Sequence, residues 1–385
     1  MLRKGLPLES VLDRAARSLA RPDDRAFAHA IAAEALRRLA DLDALIDRAT
    51  RQRLPDDAKA RFALRIALVQ ALSLGTPPHA AISTALPLVE GGPRRLVHGV
   101  FGTVLRARWT LPEIPTLPAA VAERWAKAWG DEVVAAAARL IAAPPPIDLT
   151  GDLPAALEGL SLMPGHLRLA HGGAVADLAG YGEGSTGQWW VQDIAASIPA
   201  RLLGAGDGRS VLDLCAAPGG KTMQLAAAGW RVTAVDNSES RLARLSENLA
   251  RTGLAAEVIA ADVMRWQPAA PADAILLDAP CSATGIYRRH PDVLHRVRPN
   301  AVAALAEVQR AMLARAASWL KPGGTLVYSV CSLEPEEGET VARDVATDDS
   351  GLILEEQRRL LPGLYEAEGG ADSFFIARFS ANKRG

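Results

Sequence analysis

The chain has 385 residues, of which 49% are hydrophobic, and it carries 43 Lys and Arg against 44 Asp and Glu for a net charge of −1. This length exceeds one ordinary core and predicts two or three domains in a soluble globular protein. No segment has the roughly 18 consecutive apolar residues of a membrane span. The N-terminal sequence favours an amphipathic helix over a signal peptide, so we expect a cytoplasmic protein.

Residues 1–110 have apolar residues spaced three and four apart, the pattern of a helical bundle. The spacing predicts helices near 8–20, 24–53, 57–74, 78–90 and 93–108, the second of which should break into two. This region holds 18 basic and 11 acidic residues, a net +7, whereas the rest holds 25 and 33, a net −8. A net positive charge in one N-terminal region is typical of nucleic-acid binding, but an arginine-rich solvated surface explains the charge equally well.

The middle of the chain indicates a linker and a small α+β connector. Residues 111–117, LPEIPTL, contain the prolines of a linker. One helix is predicted near 118–143, ended by the prolines of APPPID. Between residues 150 and 200, short strands are predicted at 167–170 and 188–191.

From residue 209 the pattern changes to alternating strands and helices. Strands are predicted at 211–214, 231–235, 256–260, 273–278, 324–330 and 373–379. Helices fit between most of them, near 220–228, 239–251, 301–319 and 336–346. Such alternation predicts a mostly parallel sheet covered by helices on both faces, with its ligand beyond the carboxyl ends of the strands.

The stretch VLDLCAAPGGKT, residues 211–222, runs from a strand through a glycine loop into a helix. Glycines let the backbone approach a ligand closely, and the helix N-terminus offers free N–H groups to a carboxylate or a phosphate. The spacing matches neither GxGxxG nor a P-loop, which counts against dinucleotide and ATP sites. The alternative is an ordinary strand–turn–helix junction.

Two aspartates end the next predicted strands. Asp236 lies about 20 residues after the glycine loop, where a carboxylate can accept both ribose hydroxyls of an adenosine ligand. Asp262 occupies the parallel position on the third strand and could accept from an adenine amine or a loop N–H. Each aspartate alone could equally cap the helix that follows it. Together with the glycine loop they indicate a nucleoside pocket.

The three cysteines, Cys215, Cys281 and Cys331, all lie at ends of predicted strands. They form no CxxC pair, so we expect neither a metal site nor a disulfide framework. Cys281 lies in DAPCSATG, residues 278–285, and Cys331 in YSVCSLEPEE, residues 328–337. A thiolate in a partly open crevice is a good nucleophile, whereas the alternative is a small buried hydrophobic residue. The second explanation suits Cys215, inside the glycine loop.

Four motifs in order, VLDLCAAPGGKT, DAPCSATG, RRHPD and YSVCSLEPEE, resemble those of the RNA cytosine-C5 methyltransferases of the Sun family. The N-terminal helices, including DRAFAHAIAAEALRRLADLDALI, resemble the NusB-like RNA-binding domain of the bacterial 16S rRNA enzymes of this family. The resemblance implies three parts: an all-α NusB-like domain at 1–112, a linker and α+β connector at 113–205, and a class I methyltransferase domain at 206–385. That last domain is α/β and Rossmann-like, with a mostly parallel seven-stranded sheet.

The family resemblance also implies roles for residues. Cys331 would be the nucleophile that adds to C6 of cytosine, and Cys281 would assist product release. Asp278 would hydrogen-bond the base at N3 and its amine. S-adenosylmethionine (AdoMet) is the implied cofactor, and its implied binding residues are Cys215, Ala216, Ala217, Pro218, Gly219, Gly220, Lys221, Asp236, Arg241, Asp262 and Asp278.

Two further roles stay open in the sequence. Lys221 would lie near the cofactor or orient the acidic group. Arg289, His290 and Asp292 would form a substrate-side loop, with a structural role about equally well supported.

The implied activity is AdoMet-dependent methylation of cytosine C5 in 16S rRNA, at cytosine 967 by family analogy. The expected partner is RNA, as 16S rRNA or a partly assembled small ribosomal subunit, with no membrane and no metal, and the protein is expected to be a monomer. Three alternatives remain: C5 methylation of another rRNA or tRNA site, a non-catalytic RNA-binding assembly factor, and an amine methyltransferase using DAPC as a variant of Asp-Pro-Pro-Tyr.

Overall fold

The computed structural model describes residues 1–2, 5–170, 175–178, 181, 188–348 and 350–382. Contacts divide the chain into two compact units. The first unit is Met1–Pro144 with Tyr287–Val297, and the second is Pro145–Ile286 with Arg298–Gly385. The three-part division predicted from the sequence, with boundaries after residues 112 and 205, stays a prediction.

The first unit is helical, as its apolar spacing predicts. Its long helices are α1 (Leu8–Ala15), α2 (Pro22–Arg37), α3 (Leu39–Ala49), α4 (Lys59–Leu72), α5 (Pro78–Ala85), α6 (Gly91–Arg106), α7 (Ala119–Trp129) and α8 (Asp131–Ile141). Helix α4 runs through the core, where Leu64 and Leu68 are fully buried. The predicted break within 24–53 is confirmed at Arg38, between α2 and α3.

The single helix predicted over 118–143 is wrong, because the chain forms α7 and α8 instead. Gly130 lies between them with φ of 89°, a left-handed backbone that a right-handed helix cannot contain. Asp131 and Glu132 then occupy the first turn of α8, where acidic side chains interact favourably with the helix dipole. The apolar spacing continues through the break, which is why it suggested one helix.

Part of the positive charge of the first unit lies in its core. Arg61 is fully buried, and its Nη1 lies 3.0 Å from Asp43 Oδ1. Arg65 is also buried and donates two hydrogen bonds, of 2.8 and 2.7 Å, to the same Asp43 carboxylate. A buried cation needs such a partner because burial alone would cost several kcal/mol. These two arginines are therefore part of the helical core and do not add to the exposed positive charge of the unit.

The segment Tyr287–Val297, which contains RRHPD, packs on helices of the first unit. Asp292 is buried, and its Oδ2 accepts from the backbone N–H of Leu8 at 3.3 Å and from Arg296 Nε at 3.0 Å. The carbonyl of Arg288 accepts from Arg37 Nη2 at 3.1 Å. These contacts favour the structural role for this segment over the substrate-side role.

The second unit begins with a small antiparallel sheet. Its strands are β1 (Asp148–Gly151), β2 (Gly159–Leu160), β3 (His166–Leu169) and β4 (Trp189–Val191), in the order β2-β3-β1-β4. The strands predicted at 167–170 and 188–191 are confirmed, whereas β1 and β2 were not predicted. Arg168 and Asp148 form two buried hydrogen bonds of 2.7 and 2.9 Å that join β3 to β1.

A seven-stranded sheet forms the body of the second unit. Its strands are β5 (Ser210–Leu214), β6 (Arg231–Asp236), β7 (Glu257–Ala260), β8 (Ala272–Asp278), β9 (Leu320–Val330), β10 (Leu352–Leu360) and β11 (Phe374–Ala381). The order is β10-β11-β9-β8-β5-β6-β7. Strands β7, β6, β5, β8 and β9 are parallel, and β10 and β11 are antiparallel additions. The predicted α/β class and mostly parallel sheet are confirmed.

The remaining helices are α9 (Ile194–Arg201), α10 (Gly220–Ala227), α11 (Glu239–Thr252), α12 (Val293–Arg296), α13 (Pro299–Ala317) and α14 (Glu339–Thr347), of which α12 belongs to the first unit. Side chains of a strand alternate between its two faces. Ile275 and Leu277 of β8 accordingly pack with apolar residues of α13 and α14. Ala274 and Leu276 pack in a separate cluster with α9 and α10. Both faces of β8 are therefore buried, which is typical of a central parallel strand.

Among the described residues, none of the helices combines the length and apolarity that crossing a membrane would require.

Candidate active site

The candidate site lies where four neighbouring parallel strands end. Strands β5, β6, β8 and β9 end at Leu214, Asp236, Asp278 and Val330. Asp278 pairs with Ser329 in the register of β8 and β9, so the loops after both strands start side by side. The carboxyl ends of parallel strands form the usual ligand crevice of such sheets.

A cavity of about 360 Å³ opens at this edge. It is lined by Cys215, Asp236, Asn237, Arg241, Ala261, Asp262, Val263, Asp278, Ala279, Pro280, Cys281, Ala283, Met312 and Cys331. Seven of the predicted site residues therefore share one cavity: Cys215, Asp236, Arg241, Asp262, Asp278, Cys281 and Cys331. The other predicted cofactor residues, Ala216, Ala217, Pro218, Gly219, Gly220 and Lys221, follow Cys215 in the loop and are not part of the lining.

The glycine loop has little freedom to change. Gly219 has φ of 104°, and a Cβ built there would lie 2.8 Å from Leu245 Cγ, so only glycine fits. The N–H of Ala217 donates to Asp236 Oδ2 at 3.1 Å. The guanidinium of Arg241 donates to the carbonyl of Ala217. The loop is therefore fixed against the end of β6 by a carboxylate and a cation that also line the cavity.

The two nucleoside-pocket aspartates differ in exposure. Asp236 is buried, and its Oδ1 also accepts from the N–H of Ser238 at 2.9 Å, so it serves the following helix as well as the loop. Each of its oxygens keeps a second lone pair for a ligand. Asp262 is half exposed and accepts from the N–H of Met264 at 2.9 Å. Both capping and ligand binding are therefore compatible with each carboxylate.

The two motif cysteines meet in the cavity. Cys281 Sγ lies 3.5 Å from Cys331 Sγ, although the residues are 50 positions apart. The hydrogen bond with Cys331 and burial raise the pKa of the Cys281 thiol well above its ordinary value. The protonated form of Cys281 is therefore favoured, and its S–H group is within reach of the Cys331 sulfur. The distinct roles predicted for the two thiols stay a prediction.

The third cysteine is chemically different from this pair. Cys215 lines the cavity in a left-handed conformation with φ of 62°. Burial, and to a lesser extent the nearby carboxylates, raise the pKa of its thiol to about 12. The thiolate needed for nucleophilic attack is therefore scarce at neutral pH. Cys215 is therefore a poor candidate for the nucleophile, and its role in packing or in cofactor binding stays a prediction.

Lys221 and Ser329 hold Asp278 on both sides. Lys221 Nζ lies 2.7 Å from Asp278 Oδ2, and Ser329 Oγ donates to Asp278 Oδ1 at 2.7 Å. Burial disfavours the charge on Lys221, but attraction to Asp278 outweighs it and raises the pKa of the ammonium. Asp278 is 31% exposed and Lys221 only 11%, so the carboxylate faces the cavity and the lysine lies behind it. Of the two roles considered for Lys221, orienting the acidic group matches this contact.

A second carboxyl lies buried below the glycine loop. Asp213 of β5 is fully buried, and its Oδ2 accepts from Thr222 Oγ1 at 2.6 Å. Burial raises the pKa of Asp213 from 3.8 to about 7, because the hydrogen bond from Thr222 and the nearby Lys221 offset the desolvation only in part. The folded protein therefore retains a proton on Asp213 at pH values where the unfolded chain has lost it.

We expect Asp213→Asn to change how stability depends on pH. Between about pH 4 and pH 7 the wild-type folded state binds the extra proton, so its free energy of unfolding falls as pH rises. Asparagine removes this dependence, and the variant should gain up to about 4 kcal/mol relative to wild type across that window. Urea unfolding at several pH values measures the difference. The exposed Asp207→Asn is the matched control, and parallel curves for Asp213→Asn and wild type would contradict the expectation.

Sequence reasoning missed the groups that support the cysteines and Asp278. Ser329 lies in β9 between the buried residues Tyr328 and Val330. Only the pairing of β9 with β8 places its hydroxyl against Asp278. Glu337 closes the run Glu334-Pro335-Glu336-Glu337 and is fully buried, whereas Glu336 is exposed. Nothing in the letters of that run distinguishes the two glutamates.

Comparisons with known proteins agree with this architecture. Residues 200–380 match the family 16S rRNA methyltransferase RsmB/F, and residues 1–106 match the NusB family. The chain is 32% identical to the ribosomal RNA small subunit methyltransferase B of Klebsiella pneumoniae subsp. pneumoniae, over 98% of this chain and 95% of that protein. It is 42% identical to the protein of the same name from Erwinia tasmaniensis, over 55% of this chain and about half (51%) of that protein.

Solved structures share the fold. The chain is similar to the protein PH0851 with a TM-score of 0.72 and 22% identity, over 94% of this chain and 91% of the other. It is similar to a methyltransferase homolog protein from Pyrococcus horikoshii with a TM-score of 0.57 and 24% identity, over 73% of this chain and 98% of the other. The resemblance inferred from the motifs is confirmed: the chain belongs to the 16S rRNA methyltransferase RsmB/F family.

Proposed function

We propose that this protein is an AdoMet-dependent RNA (cytosine-C5)-methyltransferase acting on 16S rRNA, at cytosine 967 by family analogy, through a covalent bond between Cys331 and C6 of the base. The observation that carries the proposal is the pair of thiols, 3.5 Å apart, that lines the same cavity as Asp278. An N-methyltransferase needs no thiol, because an amine nitrogen already has a reactive lone pair.

The chemistry of cytosine explains the need for a thiol. C5 is not nucleophilic while the ring is aromatic. Addition of the Cys331 thiolate to C6 breaks that aromaticity and makes C5 an enamine carbon, able to attack an electrophilic methyl group. The base must first leave its helix, because neither face of C6 is open in a stack. The position of Cys331 directly after β9 suits attack on a base entering the crevice from outside.

The cavity suits AdoMet by its chemistry. Asp236 and Asp262 provide carboxylate acceptors for ribose hydroxyls and an adenine amine, and Val263 and Met312 provide apolar surface for a flat base. The glycine loop after β5 brings backbone and the start of α10 close to the same edge, where a methionine carboxylate would be held. When bound, the cofactor supplies a methyl group activated by a sulfonium.

Asp278 and Lys221 would activate the base. As electrons move toward N3 during thiolate addition, a proton held between Asp278 and Lys221 can pass to N3, and Asp278 can also accept from the exocyclic amine. A positioned charge in a partly buried site stabilises such a transition state more than water does. Ser329 keeps the Asp278 carboxyl from rotating.

Cys281 would complete release. After methyl transfer, C5 carries both the new methyl group and a hydrogen that must leave as a proton. Cys281 can give its proton to the departing Cys331 sulfur and take up the C5 proton itself, as the C6–S bond breaks and the ring regains its aromaticity. N3 returns its proton to the Asp278–Lys221 pair. Cys281 ends the cycle as it began, whereas Cys331 ends protonated. Cys331 must lose that proton to solvent before the next attack, and this is the one proton that the overall reaction releases.

The first unit would hold the RNA. Helix α6 buries Val97, Val100 and Val104 and leaves Arg94, Arg95 and Arg106 exposed. An arginine face of this kind contacts phosphates without reading sequence, and such contacts weaken as salt increases. These three arginines are among the exposed basic residues of the first unit, whereas Arg61 and Arg65 lie in its core.

Methyl transfer tests the proposal directly. We expect tritium to pass from labelled AdoMet to 16S rRNA from a strain lacking this gene, and bisulfite sequencing to place the label at one cytosine. The same RNA from the parent strain is the control, because its site is already methylated. Absence of incorporation in both naked rRNA and small-subunit particles would favour the non-catalytic assembly factor, and label on an amine would favour the amine methyltransferase.

A further inference from the structure

Glu337 contacts the loop that carries Cys281 and the loop that carries Cys331. Its Oε1 accepts from the backbone N–H of Ser282 at 2.8 Å, and Ser282 directly follows Cys281. Its Oε2 accepts from the hydroxyls of Ser282 and of Ser332 at 2.5 Å each, and Ser332 directly follows Cys331. One carboxylate therefore joins the residues next to the two thiols.

We propose that Glu337 is a positioning residue that fixes the spacing of Cys281 and Cys331 by holding Ser282 and Ser332 on one carboxylate. The proposal concerns the same site as the proposed function and, where it speaks of turnover, rests on it. Glu337 touches neither sulfur in the described contacts, so its effect on chemistry would pass through the two serines.

The surroundings of Glu337 hold it in place in turn. Its side chain is fully buried, and Gln309 donates both to Glu337 Oε1 at 3.2 Å and to the carbonyl of Pro280 at 2.9 Å. Tyr328 donates its hydroxyl to the carbonyl of Glu337 at 2.5 Å. Burial raises the pKa of Glu337, and the four donors facing its carboxyl only partly offset that cost. A carboxyl so costly to bury, and so fully hydrogen-bonded, has a specific structural task.

The proposed reaction requires a fixed distance between the two sulfurs. Cys331 must attack while Cys281 stays protonated, and Cys281 must later exchange a proton with the same sulfur. Both steps depend on the sulfurs remaining within hydrogen-bond distance, and misplacement by about 1 Å can cost about 100-fold in rate. The cysteines lie on separate loops after β8 and β9, so the pairing of these two strands does not fix them beyond Asp278 and Ser329.

Three variants separate the possible roles of Glu337. Glu337→Gln keeps an oxygen for the Ser282 N–H and can donate to the two hydroxyls, so it should keep the loops in place. Glu337→Ala removes every hydrogen bond of the carboxyl and leaves the buried N–H of Ser282 unpaired. Glu336→Ala, at the exposed neighbouring position, is the matched control. Ser332→Ala cuts the link from Glu337 to the Cys331 loop, together with the contacts of the Ser332 hydroxyl with Ser282, Thr284 and the Glu334 N–H, and serves if Glu337→Ala does not fold.

Thiol spacing can be measured without RNA or AdoMet. Phenylarsine oxide reacts with two adjacent thiols to form two As–S bonds and one water, and this bridge resists a competing monothiol because the second bond is intramolecular. We expect wild type, Glu336→Ala and Glu337→Gln to hold the arsenical, with Cys281→Ala as the negative control. Glu337→Ala and Ser332→Ala should release it at monothiol concentrations lower by about 10-fold or more. Retention equal to wild type in Glu337→Ala, or in Ser332→Ala where the former does not fold, would overturn the proposal.

Turnover then tests the consequence for catalysis. Glu337→Ala should lower kcat for RNA methylation by about 100-fold with AdoMet affinity unchanged, and Glu337→Gln should restore most of it. Equal losses of AdoMet binding and kcat, unrelieved by glutamine, would indicate a general structural role and overturn the proposal. If wild type itself does not methylate RNA, the proposed function fails, and the arsenical result still decides the role of Glu337 in spacing the thiols.

Discussion

Cys331→Ala is expected to abolish RNA methylation and to form no covalent protein–RNA complex. Without the thiol at C6, C5 stays part of an aromatic ring and cannot attack a methyl group. Removing a nucleophile that acts as a unit with its neighbours typically costs about 10⁴-fold or more. The contact with the Cys331 sulfur is lost in this variant, but burial still raises the pKa of the Cys281 thiol, so we do not expect Cys281 to substitute. Tritium transfer to unmodified rRNA and a denaturing gel measure the two outcomes.

The control for this variant lies in the same cavity. Cys215→Ala also removes a cavity-lining thiol, but one whose pKa of about 12 keeps it protonated. We expect it to retain covalent complex formation, with any loss confined to AdoMet affinity. Cys331→Ala should still bind AdoMet, since Asp236, Asp262 and the glycine loop are unchanged. Substantial methylation by Cys331→Ala would favour the amine methyltransferase alternative.

Cys281→Ala is expected to have the opposite effect on the covalent complex. The variant keeps the nucleophile and the Asp278–Lys221 pair, so attack and methyl transfer can proceed. It lacks the S–H group 3.5 Å from Cys331, so the C5 proton and the departing sulfur lose their shared partner. Loss of a general acid–base group typically costs about 10²–10⁴-fold, here confined to release. The covalent protein–RNA complex should therefore accumulate on a denaturing gel.

Timing separates this expectation from a simple loss of activity. With RNA in excess, Cys281→Ala should transfer about one methyl group per protein molecule and then stop, whereas wild type should continue. The trapped RNA should already carry the methyl group. If Cys281→Ala formed no complex and Cys331→Ala accumulated one, the assigned roles of the two thiols would be reversed.

The sequence predicted the fold well where residue spacing is simple. Six strands of the large sheet and its mostly parallel character follow from short apolar runs that alternate with amphipathic helices. Strand β10 was missed because its charged residues, in LILEEQRRL, lie on an edge that pairs only with β11. The break at Gly130 was missed because one left-handed glycine leaves the apolar spacing almost unchanged.

The part of the candidate site that lies at strand ends was predictable from the same residue spacing. Residues at strand ends, such as Asp278 and Cys331, can be placed from the strands that carry them. Contacts that cross from one loop to another cannot be read from spacing. Glu337 and Ser282 are 55 positions apart, and the pair of Lys221 and Asp278 is separated by 57. The local sequence shows which residue type stands at each position but does not predict which distant residue it contacts.

The most direct test of the central claim is to identify the atom that links protein to RNA. The complex formed by Cys281→Ala with unmodified 16S rRNA and AdoMet can be digested with protease and nuclease and analysed by mass spectrometry. We predict a methylated cytidine nucleotide attached to the peptide that contains Cys331, and 5-methylcytidine in rRNA released by wild type. A nucleotide attached to any other residue, or methylated rRNA without a covalent complex in either protein, would contradict the claim.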